Sequence, residues 1–271
     1  IPHGAIDHVL FMEESTATPL QFYAFYLGLI AVYTLAWLVA PALSMAIFLA
    51  LSAYHFGQSQ FAGYSGIPQI LKQGLNVTWG TSVISGLVYF NFAEIVTLAK
   101  TSTDISALLS IFSEQLYFFL LVVSSFSTID LLVFCSLQKY IRREKFFGEL
   151  YVLGLIHLCF FLTPLLIGFS LYFAILHSIK VLGEEFEFLR LRRPQLSLKK
   201  FIVMLLPFTL LSLGGSALII ALSTTQVINM SGVLLVLILI SVLTLPHSIV
   251  MNGFYDKMFG TAVIQNTSGV R

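Results

Sequence analysis

The chain has 271 residues, of which 58% are apolar, 14% are aromatic and only 10% are charged. A soluble domain of this length needs about a quarter of its residues charged to cover its surface, so lipid is the expected solvent for most of this protein. The formal net charge is +1, and no basic stripe is interleaved with aromatic residues, which excludes nucleic acid as a partner.

Apolar stretches of about 20 residues predict membrane-spanning helices. Pro41 and Pro164 each lie between two such stretches, which predicts tight helical hairpins because proline ends a helix. Two stretches, 147–163 and 165–180, are short for a full crossing, so we expect one or both to tilt, thin the bilayer or be partly re-entrant. In chain order the predicted crossings are 21–40, 42–58, 76–98, 115–137, 147–163, 165–180, 201–223 and 231–252.

The predicted fold is therefore all-α, a polytopic transmembrane helical bundle of about eight spans. We expect a single transmembrane domain over residues 1–271 and a truncated N-terminal helix before Ile1. Lysine and arginine in short loops are retained on the cytoplasmic side, and this rule orients the bundle. An even number of predicted crossings separates the two most basic loops, so both are predicted to be cytoplasmic in a multi-pass protein of the cell inner membrane. One loop holds Lys139, Arg142, Arg143 and Lys145, and the other holds Lys180, Arg190, Arg192, Arg193, Lys199 and Lys200.

Four of the six histidines fall at one predicted depth. His55, His177 and His247 lie near the cytoplasmic ends of their crossings, and His3 precedes the first complete crossing, which starts inside. Imidazole is a common ligand of iron, copper and zinc, and helical bundles build metal sites from inward-facing side chains. The four residues together predict a metal site near the cytoplasmic face, although any one alone is equally well explained as a half-hydrated residue at the lipid headgroup level.

Three further polar residues can be assigned a role from their positions relative to this site. Asp7 lies four residues after His3, so on a helix it shares that face and is predicted to accept the outer N–H of a ligating histidine. The alternative is that Asp7 only caps or hydrates the helix end. His8 is interpreted as a polar boundary residue, and the mid-span His157 as hydrogen-bonded to a carbonyl of a neighbouring helix.

Four imidazoles without a carboxylate ligand leave coordination positions open, and such a centre can bind and activate dioxygen. Membrane di-iron desaturases use histidine pairs at i, i+3 or i, i+4 spacing. Such pairs are absent from this sequence, so one metal ion is the better count.

Four short motifs follow one another in the chain and carry a family resemblance. They are Pro2-His3-Gly4-Ala5-Ile6-Asp7-His8, Tyr54-His55-Phe56-Gly57, Leu176-His177-Ser178 and Leu245-Pro246-His247. In order and spacing they resemble the Brp/Blh family of bacterial and archaeal β-carotene 15,15′-dioxygenases, and the likeness spans essentially the whole chain. The resemblance implies central cleavage of β-carotene by Fe²⁺ and dioxygen into two retinal molecules, which would supply a retinal-binding rhodopsin. It also implies that His3, His55, His177 and His247 hold the iron and are catalytic.

The chain departs from the family pattern at one position. Some relatives carry a further histidine one turn after the third motif, where this chain has Val181. Either His247 completes the ligand set, or His8 substitutes, or the iron is bound more openly. The departure also fits a carotenoid- or retinal-binding rhodopsin assembly factor without oxygenase activity. A membrane transporter is a further alternative, but transporters usually need acidic residues at mid-membrane, and the acidic residues here fall near segment ends.

A rigid polyene dissolved in lipid has to reach a metal through an apolar tunnel. Tyr54, Phe56, Phe173 and Phe254 are predicted to line that tunnel, where aromatic faces would stabilise positive charge developing on the substrate. Core or lipid-facing packing is the simpler explanation for any single one of them.

Overall fold

The computed structural model describes residues 3–101, 103–225 and 230–268, except for the side chains of residues 3, 14, 103, 107 and 259–268. Within these ranges the chain is helical and contains no strand, which confirms the predicted all-α class. The α-helices are α1 (Asp7–Glu14), α2 (Pro19–Val39), α3 (Pro41–Phe61), α4 (Gln69–Phe90), α5 (Phe92–Ala99), α6 (Thr103–Ser106), α7 (Glu114–Leu137), α8 (Arg143–Leu162), α9 (Leu165–Leu171), α10 (Ile179–Arg192), α11 (Leu198–Thr224) and α12 (Gly232–Ser268). A 3₁₀ turn at His3–Ile6 precedes α1, another at Ala107–Ile111 precedes α7, and a π-helical segment at Tyr172–Ser178 joins α9 to α10.

Six helices in the described ranges are long and apolar enough to cross a membrane, or seven if α4 and α5 form one bent span. The predicted count of eight is therefore not confirmed. The difference lies in α3, which has the length of a span but carries a run of buried polar side chains along the faces that meet other helices. These residues are Ser44, Ser52, His55, Gln58 and Ser59.

The two predicted hairpins are present. α3 begins at Pro41 directly after α2, and α9 begins one residue after Pro164. The second hairpin is longer than expected, because its return helix continues through the charged residues of α10 to Arg192. Glutamate, leucine, lysine and arginine are good helix formers, so the helix does not end where the apolar stretch ends.

The predicted crossing at 76–98 is broken, with α4 and α5 bent by 67° around Asn91. The Asn91 side-chain amide donates to the carbonyl of Leu87 at 3.0 Å and to that of Phe160 at 3.3 Å. An asparagine side chain that bonds helix carbonyls competes with the helix's own hydrogen bonds, which explains a bend at this residue.

α3 and α4 pack with their backbones in direct contact. A Cβ added at Gly57 would lie 1.8 Å from the carbonyl oxygen of Asn76, and one at Gly80 would lie 1.6 Å from that of Ala53. Small residues of this kind let membrane helices approach closely. The contact fixes the last turns of α3, which carry His55.

α7 ends in a Schellman motif with a lysine in the left-handed position. Lys139 has φ 62°, its N–H donates to Ser136 O at 3.1 Å, and the N–H of Tyr140 donates to Cys135 O at 2.9 Å. Glycine is the usual residue there, and another L-residue costs about 1 kcal/mol in this conformation.

Two apolar clusters flank the histidine-bearing helix ends. One joins α1, α10 and α12 around Ile6, Leu10 and Val181. The other joins α3, α4, α7 and α8 around Trp79 and Phe160. The ends of three helices are thereby held between two packed cores.

Candidate metal centre

Three of the four predicted histidines meet in the structure. The ring centroid of His55 lies 5.0 Å from that of His177 and 5.1 Å from that of His247. The three rings come from α3, the π-helical segment and α12, and none is more than 6% exposed. The prediction that imidazoles distant in sequence converge is confirmed for these three.

His177 is oriented by Ser59. Ser59 Oγ lies 3.1 Å from His177 Nδ1 and 3.0 Å from the carbonyl oxygen of Phe56. A hydroxyl has one proton, and Ser59 donates it to that carbonyl, so the N–H at Nδ1 of His177 donates to Ser59 Oγ. This hydrogen bond fixes the tautomer in which Nε2 carries the lone pair for a ligand.

His247 is oriented by Asp7. Its Nδ1 lies 2.9 Å from Asp7 Oδ1, and Tyr26 Oη donates to Asp7 Oδ2 at 2.9 Å. The N–H at Nδ1 of His247 donates to the carboxylate, so this ring also presents its lone pair at Nε2. Asp7 was predicted to hold a histidine from behind, and the structure identifies that histidine as His247.

His55 differs from the other two rings. It is 2% exposed, and neither of its ring nitrogens has a hydrogen-bond partner among the described residues. Burying a polar group without a partner costs about 1–3 kcal/mol. A buried imidazole without a hydrogen-bond partner, next to two oriented imidazoles, is the arrangement expected for the ligands of a metal ion.

The ring spacing also fits a shared metal ion. Two imidazoles bound to one ion through bonds of about 2.1 Å have ring centroids about 4.6–5.3 Å apart at octahedral to tetrahedral angles. Among the described side chains, however, no group of three or more histidine, cysteine, aspartate or glutamate residues has its donor atoms spaced to hold a metal ion. A bound metal therefore stays a prediction.

The side chain of the fourth predicted ligand, His3, lies outside the described residues. Its backbone begins the 3₁₀ turn that leads into α1. A Cβ added at the next residue, Gly4, would lie 3.4 Å from Nδ1 of His247. The turn that carries His3 is thus packed against the histidine group.

Two of the four predicted tunnel residues lie beside the histidines. The Phe56 centroid lies 4.9 Å from that of His177, and Phe173 stacks on the same ring at 5.6 Å. Tyr54 is half-buried on α3. Phe254 is fully buried and packs 4.9 Å from Phe188 in the cluster of α1, α10 and α12.

The remaining histidines serve other contacts. His157 Nε2 lies 3.2 Å from both the carbonyl and the hydroxyl oxygen of Ser82 on α4, which confirms the predicted interhelical bond. His8 is half-buried, with its centroid 4.7 Å from that of Phe208. Burial lowers the pKa of His8, against the opposing charge of Asp7, so the ring packs there in its neutral form.

Lysines bind the last carbonyls of α3, close to the histidines. Lys180 Nζ donates to the carbonyl oxygens of Ser59 and Gln60, the latter at 2.9 Å, and Lys72 Nζ donates to Ala62 O at 2.8 Å. Cations at a helix C-terminus satisfy carbonyls that lack intrahelical partners and complement the helix dipole. They anchor the turn that carries Ser59.

A buried carboxylate ties the same helix end to α8. Glu149 accepts a hydrogen bond from Gln60 Nε2 at 2.6 Å and another from Tyr64 Oη at 2.5 Å. Burial and the bond to Glu149 both raise the pKa of Tyr64, so its hydroxyl keeps the proton that it donates. The loop after α3 is thereby fixed beside the histidine group.

Comparison with known proteins gives the family. The sequence model described as β-carotene 15,15′-dioxygenase matches residues 1–255. The chain belongs to the β-carotene 15,15′-dioxygenase family. It is 26% identical to the curated β-carotene 15,15′-dioxygenase of an uncultured marine bacterium, 66A03, over 98% of this chain and 94% of that protein. No solved structure matches the chain.

Sequence reasoning missed three residues that this member of the dioxygenase family places around its histidines. Ser59 lies four residues after His55, and this spacing alone puts both on one face of α3. Tyr172 lies five residues before His177, and its ring is 6.5 Å away because the π-helix aligns residues at i and i+5. Tyr26 reaches Asp7 across nineteen positions of sequence, and no local pattern indicates that contact.

Proposed function

We propose that this chain is a membrane oxygenase that cleaves β-carotene at the central 15,15′ double bond and releases two retinal molecules. The observation that carries the proposal is the convergence of three buried imidazoles, from three helices, in a chain of the β-carotene 15,15′-dioxygenase family. The carbon–carbon double bond breaks and two carbonyl groups form, each with one oxygen atom of dioxygen. Substrates and products then balance without a further reductant.

His55, His177 and His247 are the described side chains that would hold Fe²⁺, with His3 as the fourth ligand. Iron, when bound, would supply the redox chemistry that lets dioxygen react with the polyene, with no net change in the oxidation state of the metal. Asp7 and Ser59 hold two of the rings by their Nδ1 atoms, so the lone pair of each ring lies at Nε2. For His247, the carboxylate also raises the basicity of the ligand.

The aromatic side chains beside the histidines would exclude water and receive the substrate. Phe56, Tyr172 and Phe173 all contact the His177 ring. Their flat apolar faces fit a conjugated chain and would stabilise positive charge that develops on it. Tyr54 and Phe254 would contribute farther along the path.

The candidate site lies beside the C-terminal end of α3, to which Lys180 is bound. The positive-inside rule supports a position near the cytoplasmic face of a multi-pass inner-membrane protein. β-Carotene would enter from the lipid. Retinal released at this depth would be available to a retinal-binding rhodopsin in the same membrane.

Product analysis tests the activity directly. Detergent-purified wild-type protein, loaded with Fe²⁺ and given β-carotene and dioxygen, is expected to release two retinal per β-carotene consumed, and His177→Ala is expected to release none. Carotenoid that binds and remains intact in the wild type would show instead a carotenoid-binding or assembly factor. Shorter or unequal aldehydes would contradict central cleavage.

Asp7→Asn is expected to weaken iron binding and retinal release by about 10–100-fold, because loss of a carboxylate behind a ligating histidine lowers its basicity. Iron content by elemental analysis and the rate of retinal formation are the measurements. Tyr26→Phe, which keeps the carboxylate and removes only its phenol partner, should give a smaller loss. Equal iron binding in Asp7→Asn and wild type would contradict the role given to Asp7.

A further inference from the structure

A cleft lies between the end of α7 and the start of α8, away from the histidine group. It has a volume of about 690 Å³ and is lined by both cationic and apolar side chains. The volume falls in the range of small-molecule sites, about 300–1,000 Å³. Because both helices are long and apolar enough to span a membrane, the cleft opens where the lipid headgroups would lie.

The rim of the cleft is positively charged and its cations are not neutralised. Lys139, Arg142 and Arg143 line it together with one acid, Glu144. No described acidic side chain lies within ion-pair distance of the three cations. The rim therefore keeps a net positive charge at the depth of the headgroups.

Three cations of the second basic segment are bound within the protein. Arg193 pairs with Glu13, and the Arg192 guanidinium lies 3.7 Å from the centroid of the Phe188 ring. Lys180 is bound to carbonyls of α3. In the α7–α8 cleft, Lys139 and Arg142 have no ion pair among the described residues, and Arg143 lies 5.7 Å from the centroid of the Phe147 ring.

The backbone of the cleft also favours an anion. α8 begins without a side-chain cap, so the amides of its first turn lack the partner that a capping residue would supply. Lys139 occupies the left-handed position of the Schellman motif, where glycine is favoured, so a lysine is kept at a conformational cost. That conformation places the lysine at the rim of the cleft.

The apolar part of the cleft continues onto the lipid-facing surface. Leu137 and Phe147 line the cleft and are 74% and 54% exposed. They offer an apolar surface for acyl chains next to the cations that line the same cleft. A free inorganic anion would use the cations but not this surface.

We propose that the α7–α8 cleft binds the headgroup of an anionic phospholipid, with the phosphate held by Lys139, Arg142 and Arg143 and the acyl chains packed along Leu137 and Phe147. Basic pockets between membrane helices bind acidic headgroups in this way. The site is separate from the proposed iron centre, so the proposal stands whether or not the chain cleaves a carotenoid.

The test compares dioleoyl-phosphatidylglycerol with dioleoyl-phosphatidylcholine added to detergent-purified full chain, with thermal unfolding followed by tryptophan fluorescence. Phosphatidylglycerol is expected to raise the wild-type midpoint by about 5 °C over phosphatidylcholine at saturation. Native mass spectrometry should show one phosphatidylglycerol retained per chain. The Arg142→Gln, Arg143→Gln double variant should lose most of both signals.

The matched control is Lys199→Gln with Lys200→Gln, which removes the same charge from exposed residues outside the cleft. This control should keep the full rise in unfolding midpoint that phosphatidylglycerol gives the wild type. An increment that survives in the arginine variant, falls equally in the control, or is reproduced by inorganic phosphate alone would overturn the proposal.

The Lys139→Gly variant distinguishes the effect of the bound lipid on the unfolding temperature from the effect of the left-handed backbone. Glycine relieves the left-handed backbone, so this variant should unfold at a higher temperature than wild type in phosphatidylcholine. It should gain less from phosphatidylglycerol, because one of the three cations is gone. A full increment in Lys139→Gly would overturn the role assigned to that lysine.

Discussion

His55→Leu is expected to abolish retinal release without destabilising the protein. His55 is buried and its ring nitrogens have no hydrogen-bond partner in the described ranges, so its removal breaks no internal hydrogen bond there. An apolar side chain of similar size removes the cost of burying an unpaired imidazole, about 1–3 kcal/mol. The loss of activity should exceed about 100-fold, because a ligand contributes more than the residues behind it.

Two measurements check this expectation. Retinal formation is followed with iron and β-carotene supplied, and thermal unfolding is followed after treatment with a chelator, so that metal binding does not contribute to stability. The expected result is no activity with an unfolding midpoint equal to or above that of wild type. Retained activity, or a clearly lower midpoint in metal-free protein, would rule out the assigned role of His55.

His157→Leu is the matched control, and the opposite outcome is expected. His157 contacts both oxygens of Ser82 on α4, so its replacement removes this interhelical hydrogen bond, while Ser82 Oγ keeps its contact with Ser125 Oγ at 2.7 Å. The cost should be about 0.5–1.5 kcal/mol of stability. Activity per folded molecule should be retained, because His157 lies outside the histidine group.

Gly80→Ala is expected to prevent α3 and α4 from packing. The added Cβ would lie 1.6 Å from the carbonyl oxygen of Ala53, and that atom belongs to a helix backbone that cannot rotate away. The helices would have to separate, at a cost at or above the upper end of the overpacking range, about 3 kcal/mol. The yield of folded protein and its unfolding midpoint in detergent are the measurements.

Gly154→Ala is the control variant, because it measures the effect of a glycine-to-alanine change in a helix without a steric clash. Gly154 lies within α8, and a Cβ added there meets nothing within 4 Å among the described atoms. Alanine is the better helix former by about 1 kcal/mol, so this variant should be as stable as wild type or more stable. Similar losses in both variants would show that the α3–α4 contact is not the cause.

Much of the fold was predictable because apolar stretches and prolines act locally. The hairpins at Pro41 and Pro164 follow from proline chemistry alone. The bend at Asn91 was missed because it depends on a carbonyl of Phe160, which the chain brings near only after folding. The count of eight spans is not confirmed, since α3 has the length of a span but carries several buried polar side chains.

In the candidate site, too, the positions of the residues were predictable but their tertiary contacts were not. His55, His177 and His247 could be grouped from depth and topology, and Asp7 from its position near His3. The partner of Asp7 could not be chosen, since His247 lies 240 positions away in sequence. Lys180 donates to the carbonyl of Ser59, and the Ser59 hydroxyl contacts His177. Both contacts join segments that are distant in sequence, so only the packed structure defines them.

The π-helical segment at Tyr172–Ser178 makes the number of residues before α10 as important as their identity. Removal of one residue there would let the chain wind as an ordinary α-helix, which has one residue fewer in the same turn, so the helix after it would keep its orientation. The buried Val181 and Glu185 would stay in the interior, but Tyr172 would lose its i, i+5 alignment with His177. A single-residue deletion in the regular helix on either side would instead turn everything after it by about 100° about the axis.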